Sequence, residues 1–173
     1  MVFSPETIQE KVSELARQIS RDYQGKELLL VGILKSSVFF LADLIRNISI
    51  PLTIDFIATA KYYSDSGSGI VKILKDLEEN IQNKHLLLIR TIVDTGITLE
   101  YLIKNLKLRN PKSIKICTLL LREENRKTNL SIHYTGFLVG KPFLIGYGMD
   151  YQERFRNLPA IYELSHNREK EIS

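Results

Sequence analysis

Two short stretches that are almost wholly apolar constrain the fold of this chain more than any other feature of its sequence. Glu27–Ile33 reads ELLLVGI and Leu86–Ile89 reads LLLI. A strand without a polar face is buried on both sides, which is typical of a parallel sheet covered by helices. Helical periodicity follows each stretch, at Val38–Ile48 and at Leu99–Leu108. This alternation predicts an α/β fold with a central, mainly parallel, twisted sheet flanked by helices.

The rest of the chain fits a single domain over residues 1–173. Ser4 and Pro5 have the chemistry of a helix N-cap and a first helical residue, and Gly25 can end that helix. Further strands are predicted at Ile54–Tyr63, Ile70–Leu74, Ser113–Leu121, Ile132–Val139 and Phe143–Tyr147. Because only the polar loop of residues 64–69 joins the first two of these, we expect them to form an antiparallel hairpin.

Composition limits the partners of the chain. Its 24 basic and 20 acidic residues leave a net charge of +4, which is weak evidence for nucleic acid and suits an anionic small molecule equally well. The apolar runs are too short to span a bilayer, and the N-terminal residues lack the features of a secretion signal. The single cysteine, Cys117, cannot form an internal disulfide and is predicted to be buried. We therefore expect a cytoplasmic protein with no nucleic-acid or membrane partner.

The motif Asp94-Thr95-Gly96 follows a buried strand and precedes a predicted helix. Ligands of parallel α/β sheets bind beyond the carboxyl ends of the strands, where this motif would lie. Gly96 lets the backbone turn close to a ligand, Thr95 and Thr98 offer hydroxyls, and the helix start offers unpaired N–H groups. These groups predict a phosphate site. Asp94 would repel a phosphate placed directly on it, so it is better suited to exchanging a proton with a neighbouring group.

Two other interpretations of this motif stay open in the sequence. In the first, Asp94 is a helix cap in an ordinary turn. In the second, the chain is an aspartic protease, in which two Asp-Thr-Gly motifs share one proton. A protease of that kind would need a homodimer and an all-β fold, whereas a helical stretch follows the motif here.

Four separated segments, in the right order, resemble those of type I phosphoribosyltransferases and in particular the hypoxanthine-guanine phosphoribosyltransferase family. Leu86–Leu99 resembles the motif that binds phosphoribosyl diphosphate. The other segments resemble the diphosphate loop with its helix (Val31–Ser36 and Phe39–Arg46), the mobile flap (Tyr62–Leu77) and the purine-binding tail (Gly136–Phe137, Phe143–Tyr151 and Phe155–Pro159). The likeness runs from about Leu28 to Leu164.

This resemblance implies a purine-salvage reaction on small molecules. The 5-phosphoribosyl group of phosphoribosyl diphosphate passes to hypoxanthine or guanine, which gives the purine nucleotide IMP or GMP and diphosphate. Mg2+ is implied as the cofactor that holds the departing diphosphate. The resemblance also implies the type I phosphoribosyltransferase fold with a flexible flap at about residues 58–74 and a homo-oligomer, either a dimer or a tetramer. A small purine-binding hood would combine residues 132–164 with the N-terminal segment.

A role for each matching residue follows from the same resemblance. The 5′-phosphate would be held by Asp94, Thr95, Gly96, Ile97 and Thr98, with Asp94 also the catalytic residue that takes the proton from purine N7. The diphosphate would be held by Leu34, Lys35, Ser36, Tyr62 and Arg156, with a cis peptide between Leu34 and Lys35. The purine would be held by Arg122, Phe143, Leu144 and Asp150. Phe143 would stack on the purine ring, and Asp150 would also hold Mg2+ through water.

Several of these side chains also have a purely structural interpretation. Phe143 can be an ordinary core aromatic, Lys35 a solvated lysine after a strand, and Tyr62 a surface residue of a hairpin. Asp150 and Arg156 can form a plain surface ion pair.

Arg90 and Thr91 depart from the family pattern, which has Glu-Asp at these positions to hold the ribose hydroxyls. An arginine cannot accept a hydrogen bond from a diol. It can point out of the site, or it can contact a phosphate or diphosphate directly. The alternative function is therefore a catalytically impaired relative that binds nucleotide or phosphoribosyl diphosphate as a regulator.

Arg90, Lys61 and Arg122 replace Glu, Ser and Lys of the family pattern, so they make the predicted site more basic. Arg122 still donates to a purine carbonyl, but its planar fork differs in shape from an ammonium. A more basic site favours the more anionic base, so xanthine is a possible further substrate.

Overall fold

The computed structural model describes residues 1–63 and 69–164, and only the backbone at residues 61–63 and 69–70. Six strands form the main sheet: β1 (Leu28–Leu34), β2 (Thr53–Tyr63), β3 (Gly69–Lys75), β4 (His85–Val93), β5 (Ser113–Leu121) and β6 (Tyr134–Leu138). Their order is β3-β2-β1-β4-β5-β6, and every pair is parallel except the hairpin of β2 and β3. The predicted α/β fold with a mainly parallel sheet is confirmed.

Among the described residues, three α-helices cover the two faces of this sheet. The helices are α1 (Pro5–Asp22), α2 (Ser37–Asn47) and α3 (Ile97–Lys107). Side chains of α1 and α2 pack in one apolar cluster, and those of α3 pack in a second. Six of the seven residues of β1 are buried because both faces are covered. Ser4 caps α1 as predicted, since its Oγ accepts a hydrogen bond from the Thr7 N–H at 3.3 Å.

The strand order creates a crevice at one edge of the sheet. The chain leaves β1 towards β2 on one side, and β4 pairs with β1 on the other side. The connections therefore diverge at the carboxyl ends of β1 and β4, which is the usual ligand position in an open α/β sheet. The segments that follow these two strands contain Lys35 and Asp94.

A second, two-stranded sheet lies at the end of the described chain. It consists of β7 (Leu144–Ile145) and β8 (Tyr162–Glu163), and the N-terminal Phe3 joins it through a bridge to Ile161. The predicted strand Phe143–Tyr147 is wrong at its end, because residues 146–148 have φ values of 92°, 48° and 90°, which no strand adopts. β6, within the range predicted for the hood, pairs with β5 in the main sheet.

Cys117 is buried in the core, as predicted, and burial raises the pKa of its thiol. Among the described residues, no helix has both the length and the apolar character needed to cross a membrane. The flap loop of residues 64–68 lies outside the described residues.

Candidate active site

A cavity of about 310 Å3 opens at the crevice between the carboxyl ends of the strands and the segment around β7. Ten of the residues predicted for the site line it: Ser36, Arg90, Asp94, Thr95, Gly96, Thr98, Arg122, Phe143, Leu144 and Asp150. Ile92, Val93, Leu99 and Met149 complete its wall. The predicted residues Leu34, Lys35, Thr91, Ile97 and Arg156 lie outside this lining, and the side chains of Lys61 and Tyr62 lie outside the described part of the chain.

The loop between β4 and α3 lines the cavity and contains the start of a helix. Gly96 is the N-cap of α3 with φ of 81°, a conformation that suits glycine. The first intrahelical bond runs from the Glu100 N–H to the Gly96 carbonyl at 2.9 Å, so the N–H groups before Glu100 have no helical partner. Asp94 does not cap the helix, and its interpretation as a helix cap is wrong.

The Asp94 carboxylate is held at the cavity wall by two neighbours. Its Oδ1 accepts a hydrogen bond from Asn125 Nδ2 at 2.8 Å, and its Oδ2 lies 3.8 Å from Arg122 Nη1. The Asp94 side chain is 44% exposed. Its carboxylate is therefore fixed in orientation and still accessible to a ligand.

The segment after β5 braces the same loop. It contains a short 3-10 helix, Glu123–Asn125, and its backbone donates from the Arg122 N–H to Val93 O and from the Lys127 N–H to Thr95 O, both at 2.9 Å. Asn125 is a site residue that the sequence motifs did not predict. The available signal was that β5 runs parallel to β4, so polar residues after β5 reach the same sheet edge as Asp94.

Arg122 and Phe143 form the side of the cavity nearest β7. Arg122 Nε donates to Gly140 O at 2.9 Å, and its Nη2 donates to Pro142 O, so the guanidinium holds the turn before Phe143. Phe143 is 50% exposed, with its ring edge-on to Tyr151 at 5.9 Å. The core interpretation of Phe143 is therefore wrong, and its exposed ring can stack on a flat ligand.

The segment after β1 contains the cis peptide between Leu34 and Lys35 that the sequence resemblance implies. The Lys35 side chain is largely exposed, and its Nζ pairs with Glu153 Oε2 at 2.8 Å. Hydrogen bonds from Lys35 and Arg156 lower the pKa of the Glu153 carboxyl.

Arg156 lies outside the cavity lining but pairs with carboxylates of the segment after β7, among them Asp150 of the cavity wall. Its Nη1 donates to Gly148 O at 2.8 Å, and its Nη2 pairs with Asp150 Oδ1 at 2.9 Å and with Glu153 Oε1 at 3.1 Å. The predicted ion pair between Asp150 and Arg156 is present. A role of Arg156 toward diphosphate stays a prediction.

Asp150 is the residue predicted to hold magnesium. Within residues 1–63 and 69–164, no group of three or more His, Cys, Asp or Glu side chains is arranged to hold a metal. Mg2+ is usually bound by one or two carboxylates together with substrate phosphates and water. A partly exposed carboxylate at the cavity wall fits that pattern, so Asp150 suits an ion shared with a phosphorylated ligand.

Arg90 and Thr91 have different environments at the end of β4. Thr91 is fully buried and donates its Oγ1 hydrogen to Ser36 O at 2.7 Å. Arg90 is partly buried and lines the cavity, so it does not point out of the site. Burial lowers the pKa of the Arg90 guanidinium.

Comparison with known proteins agrees with this geometry. Residues 4–152 match the family model described as phosphoribosyl transferase domain. A hypoxanthine-guanine phosphoribosyltransferase of Dictyostelium discoideum is 42% identical over 169 residues, which cover 95% of this chain and 94% of that relative. The chain belongs to the hypoxanthine-guanine phosphoribosyltransferase family. Because the family is α/β, the aspartic-protease interpretation is wrong.

Solved structures of this family share the fold. The crystal structure of a hypoxanthine phosphoribosyltransferase from Staphylococcus aureus superposes with a TM-score of 0.92 and 41% identity, over 95% of this chain and 90% of that one. A hypoxanthine-guanine-xanthine phosphoribosyltransferase superposes with a TM-score of 0.87 and 33% identity, over 95% and 96% of the two chains. These relatives are named as enzymes of the hypoxanthine-guanine phosphoribosyltransferase family, so the regulatory alternative gains no support from them.

Proposed function

We propose that this protein transfers the 5-phosphoribosyl group from phosphoribosyl diphosphate to hypoxanthine or guanine, giving IMP or GMP and diphosphate. The observation that carries the proposal is one cavity that brings together an exposed carboxylate, an anion-binding helix start and an exposed aromatic ring. These are Asp94, the loop of residues 94–98, and Phe143. Membership of the family supplies the reaction class.

The residues of the cavity have complementary tasks in this reaction. The N–H groups and hydroxyls of residues 95–98 would hold the 5′-phosphate, and Phe143 would stack on the purine, so that the base faces the sugar carbon C1′. The bond from C1′ to diphosphate then breaks with its electron pair on the diphosphate. The new bond from C1′ to the purine forms as the Asp94 carboxylate takes the proton from N7.

Further residues would assist the departing diphosphate. The backbone around the Leu34–Lys35 peptide and Ser36 lies at the neighbouring strand end, and Lys35 and Arg156 supply nearby positive charge. Magnesium, when bound at Asp150 and the diphosphate, would neutralise the charge that develops on the leaving group. Tyr62, which the resemblance assigns to the flap, is proposed to help hold the diphosphate.

The proposal extends to base specificity, cellular location and oligomeric state. We include xanthine as a further substrate, because two arginines, Arg90 and Arg122, line the cavity. We further propose a cytoplasmic homo-oligomer that acts on small molecules without a nucleic-acid or membrane partner. Analytical ultracentrifugation tests the oligomer, which a monomeric protein would contradict.

An absorbance assay tests the reaction directly. The protein is mixed with phosphoribosyl diphosphate and magnesium, and with hypoxanthine, guanine or xanthine in separate runs. Conversion of hypoxanthine or guanine to its nucleotide is the expected result. If activity were to appear only in the double variant Arg90→Glu with Thr91→Asp, the parent chain would not be a transferase. Lack of xanthine turnover would remove that base from the proposal.

Asp94→Asn tests the proton acceptor. Asparagine keeps the shape of the side chain and its contact with Asn125 but cannot take the N7 proton, so we expect kcat to fall by about 10^2–10^4-fold. The melting temperature and the affinity for GMP should change little. Glu100→Gln on α3 is the matched control, since Glu100 lies in an exposed pair with Lys104 and should keep parental kcat. A kcat for Asp94→Asn within threefold of the parent would contradict the assignment.

A further inference from the structure

Arg90 lines the cavity and is partly buried. Within the described part of the chain, the Arg90 side chain takes part in none of the hydrogen bonds or ion pairs of the structure. Because water screens a partly buried cation less than an exposed one and no described carboxylate pairs with Arg90, an anionic ligand in the cavity would be attracted to it.

The acidic groups around the cavity are already engaged elsewhere. Asp94 accepts from Asn125 and lies beside Arg122, and Asp150 pairs with Arg156 at 2.9 Å. These contacts leave Arg90 as a positive charge that the described carboxylates of the cavity do not neutralise. An anionic ligand would neutralise it.

The position of Arg90 also suits binding of a phosphate group, whereas its side chain cannot accept hydrogen bonds from sugar hydroxyls. It shares the cavity wall with Thr95 and Gly96 at the start of α3, where N–H groups without a helical partner favour an anion. A guanidinium only donates hydrogen bonds, and its fork matches two phosphate oxygens. The adjacent Thr91 cannot serve the sugar, because it is fully buried and bonded to Ser36 O.

We propose that Arg90 is a specificity residue that binds a phosphate group of the ligand, so that the end of β4 recognises the ligand by its charge in place of its ribose hydroxyls. This inference rests on the proposed function, because the ligand is taken to be a phosphoribosyl compound. Its consequence is weak discrimination between a ribosyl and a 2′-deoxyribosyl ligand at the end of β4.

Binding by isothermal titration calorimetry, without divalent cations, tests the phosphate contact. The probes are GMP, guanosine and inorganic diphosphate. We expect Arg90→Gln to weaken GMP or diphosphate binding about 10- to 100-fold and to leave guanosine binding unchanged. Weaker binding of GMP to the variant identifies the 5′-phosphate as the group that Arg90 binds. Weaker binding of diphosphate alone identifies the leaving group. Unchanged affinity for both would overturn the proposal.

Arg90→Lys and Arg17→Gln complete the binding experiment. Lysine keeps the charge without the fork, so we expect a smaller loss than in Arg90→Gln. Arg17 is an exposed arginine of α1, outside the lining of the cavity, and Arg17→Gln should bind like the parent. An equal loss in Arg17→Gln would assign the effect to net charge and would overturn the proposal.

Thermal unfolding separates ligand binding from a structural role. Without ligand, we expect Arg90→Gln to melt at or above the parental temperature, because it removes a partly buried charge that the described carboxylates of the cavity do not neutralise. Saturating GMP or diphosphate should then raise the melting temperature of the variant less than that of the parent. A lower melting temperature without ligand, together with parental stabilisation by both ligands, would overturn the proposal.

The expected weak discrimination between ribosyl and 2′-deoxyribosyl ligands is tested by comparing the affinities of the parent protein for GMP and 2′-deoxy-GMP. We expect affinities within about threefold of each other, because Arg90 only donates hydrogen bonds and Thr91 is fully buried against Ser36 O, so neither can accept from the 2′-hydroxyl. A preference for GMP above tenfold would overturn this part of the proposal. Transferase activity without Arg90-dependent binding would refute the inference alone, whereas Arg90-dependent binding without activity would refute the proposed function alone.

Discussion

At the scale of single residues, burial of a histidine makes the stability of this fold depend on pH. His85 begins β4, where its Nδ1 lies 2.7 Å from Ser113 Oγ and its ring meets Tyr23 edge-on at 5.9 Å. Burial lowers the pKa of the His85 imidazole, and three nearby lysines lower it further. The folded protein therefore binds a proton at His85 less readily than the unfolded chain does.

This difference predicts that acid weakens the fold well before the carboxylates titrate. The His85 contribution to stability is fully present above the unfolded pKa of about 6.5 and is lost as pH falls through the lower folded pKa. Urea unfolding at pH 7.5, 6.5 and 5.5 should show a falling free energy of unfolding. His85→Gln should flatten this dependence. An identical slope in parent and variant would contradict the prediction.

At the scale of elements, close approach between two segments shapes the cavity. Gly148, with φ of 90°, follows β7 and lies against the segment after β1, so a Cβ at this position would be 2.1 Å from Ser36 O. Two atoms that are not bonded cannot be that close, and the segment would have to move. The glycine therefore allows the segment carrying Phe143 and Asp150 to face the Leu34–Lys35 peptide.

Gly148→Ala and Gly25→Ala separate this close approach from backbone strain. Gly25 has a φ of 71°, and a Cβ added there would meet no described atom within 4 Å. Alanine at this position should therefore lower the free energy of unfolding only through its left-handed backbone conformation, by about 1–2 kcal/mol. Gly148→Ala adds the clash with Ser36 O, and we expect it to cost roughly 1–3 kcal/mol more. Chemical denaturation of both variants measures the difference. Equal losses would show that the contact with Ser36 does not matter for stability.

At the scale of the whole molecule, the two ends of the described chain are joined. The Val2 N–H donates to Ile161 O at 2.7 Å, and the Ile161 N–H donates to Phe3 O at 3.0 Å. The Phe3 ring stacks on Phe137 of β6, with centroids 4.3 Å apart. The N-terminal segment thus connects the small sheet with the edge of the main sheet.

Phe3→Ala tests this connection. We expect it to lower the free energy of unfolding by roughly 1–3 kcal/mol, because it removes an aromatic pair and apolar burial. For a chain of this size the melting temperature should fall about 2–4 °C per kcal/mol. Phe143→Ala is the matched control, since its half-exposed ring should affect purine binding more than stability. A larger stability loss in Phe143→Ala than in Phe3→Ala would contradict the prediction.

The sequence by itself determined the elements and the place of the site. Continuous apolar runs predict buried parallel strands, and a glycine-containing turn after such a strand lies at the ligand edge of the sheet, so β1, β4 and the loop of residues 94–98 were predictable from local patterns. Phe143 is different: its run of apolar neighbours fits the core as well as a ligand, and the family resemblance was needed to assign it to the purine.

Only the tertiary structure decided how the side chains of the site are paired. Asn125 bonds to Asp94, Arg122 turns to the carbonyls of residues 140 and 142, and Arg90 faces the cavity. Each of these outcomes depends on residues that are distant along the chain and meet only when the strands align. Periodicity and motif spacing describe local conformation, and they carry no information on which polar groups become neighbours after burial.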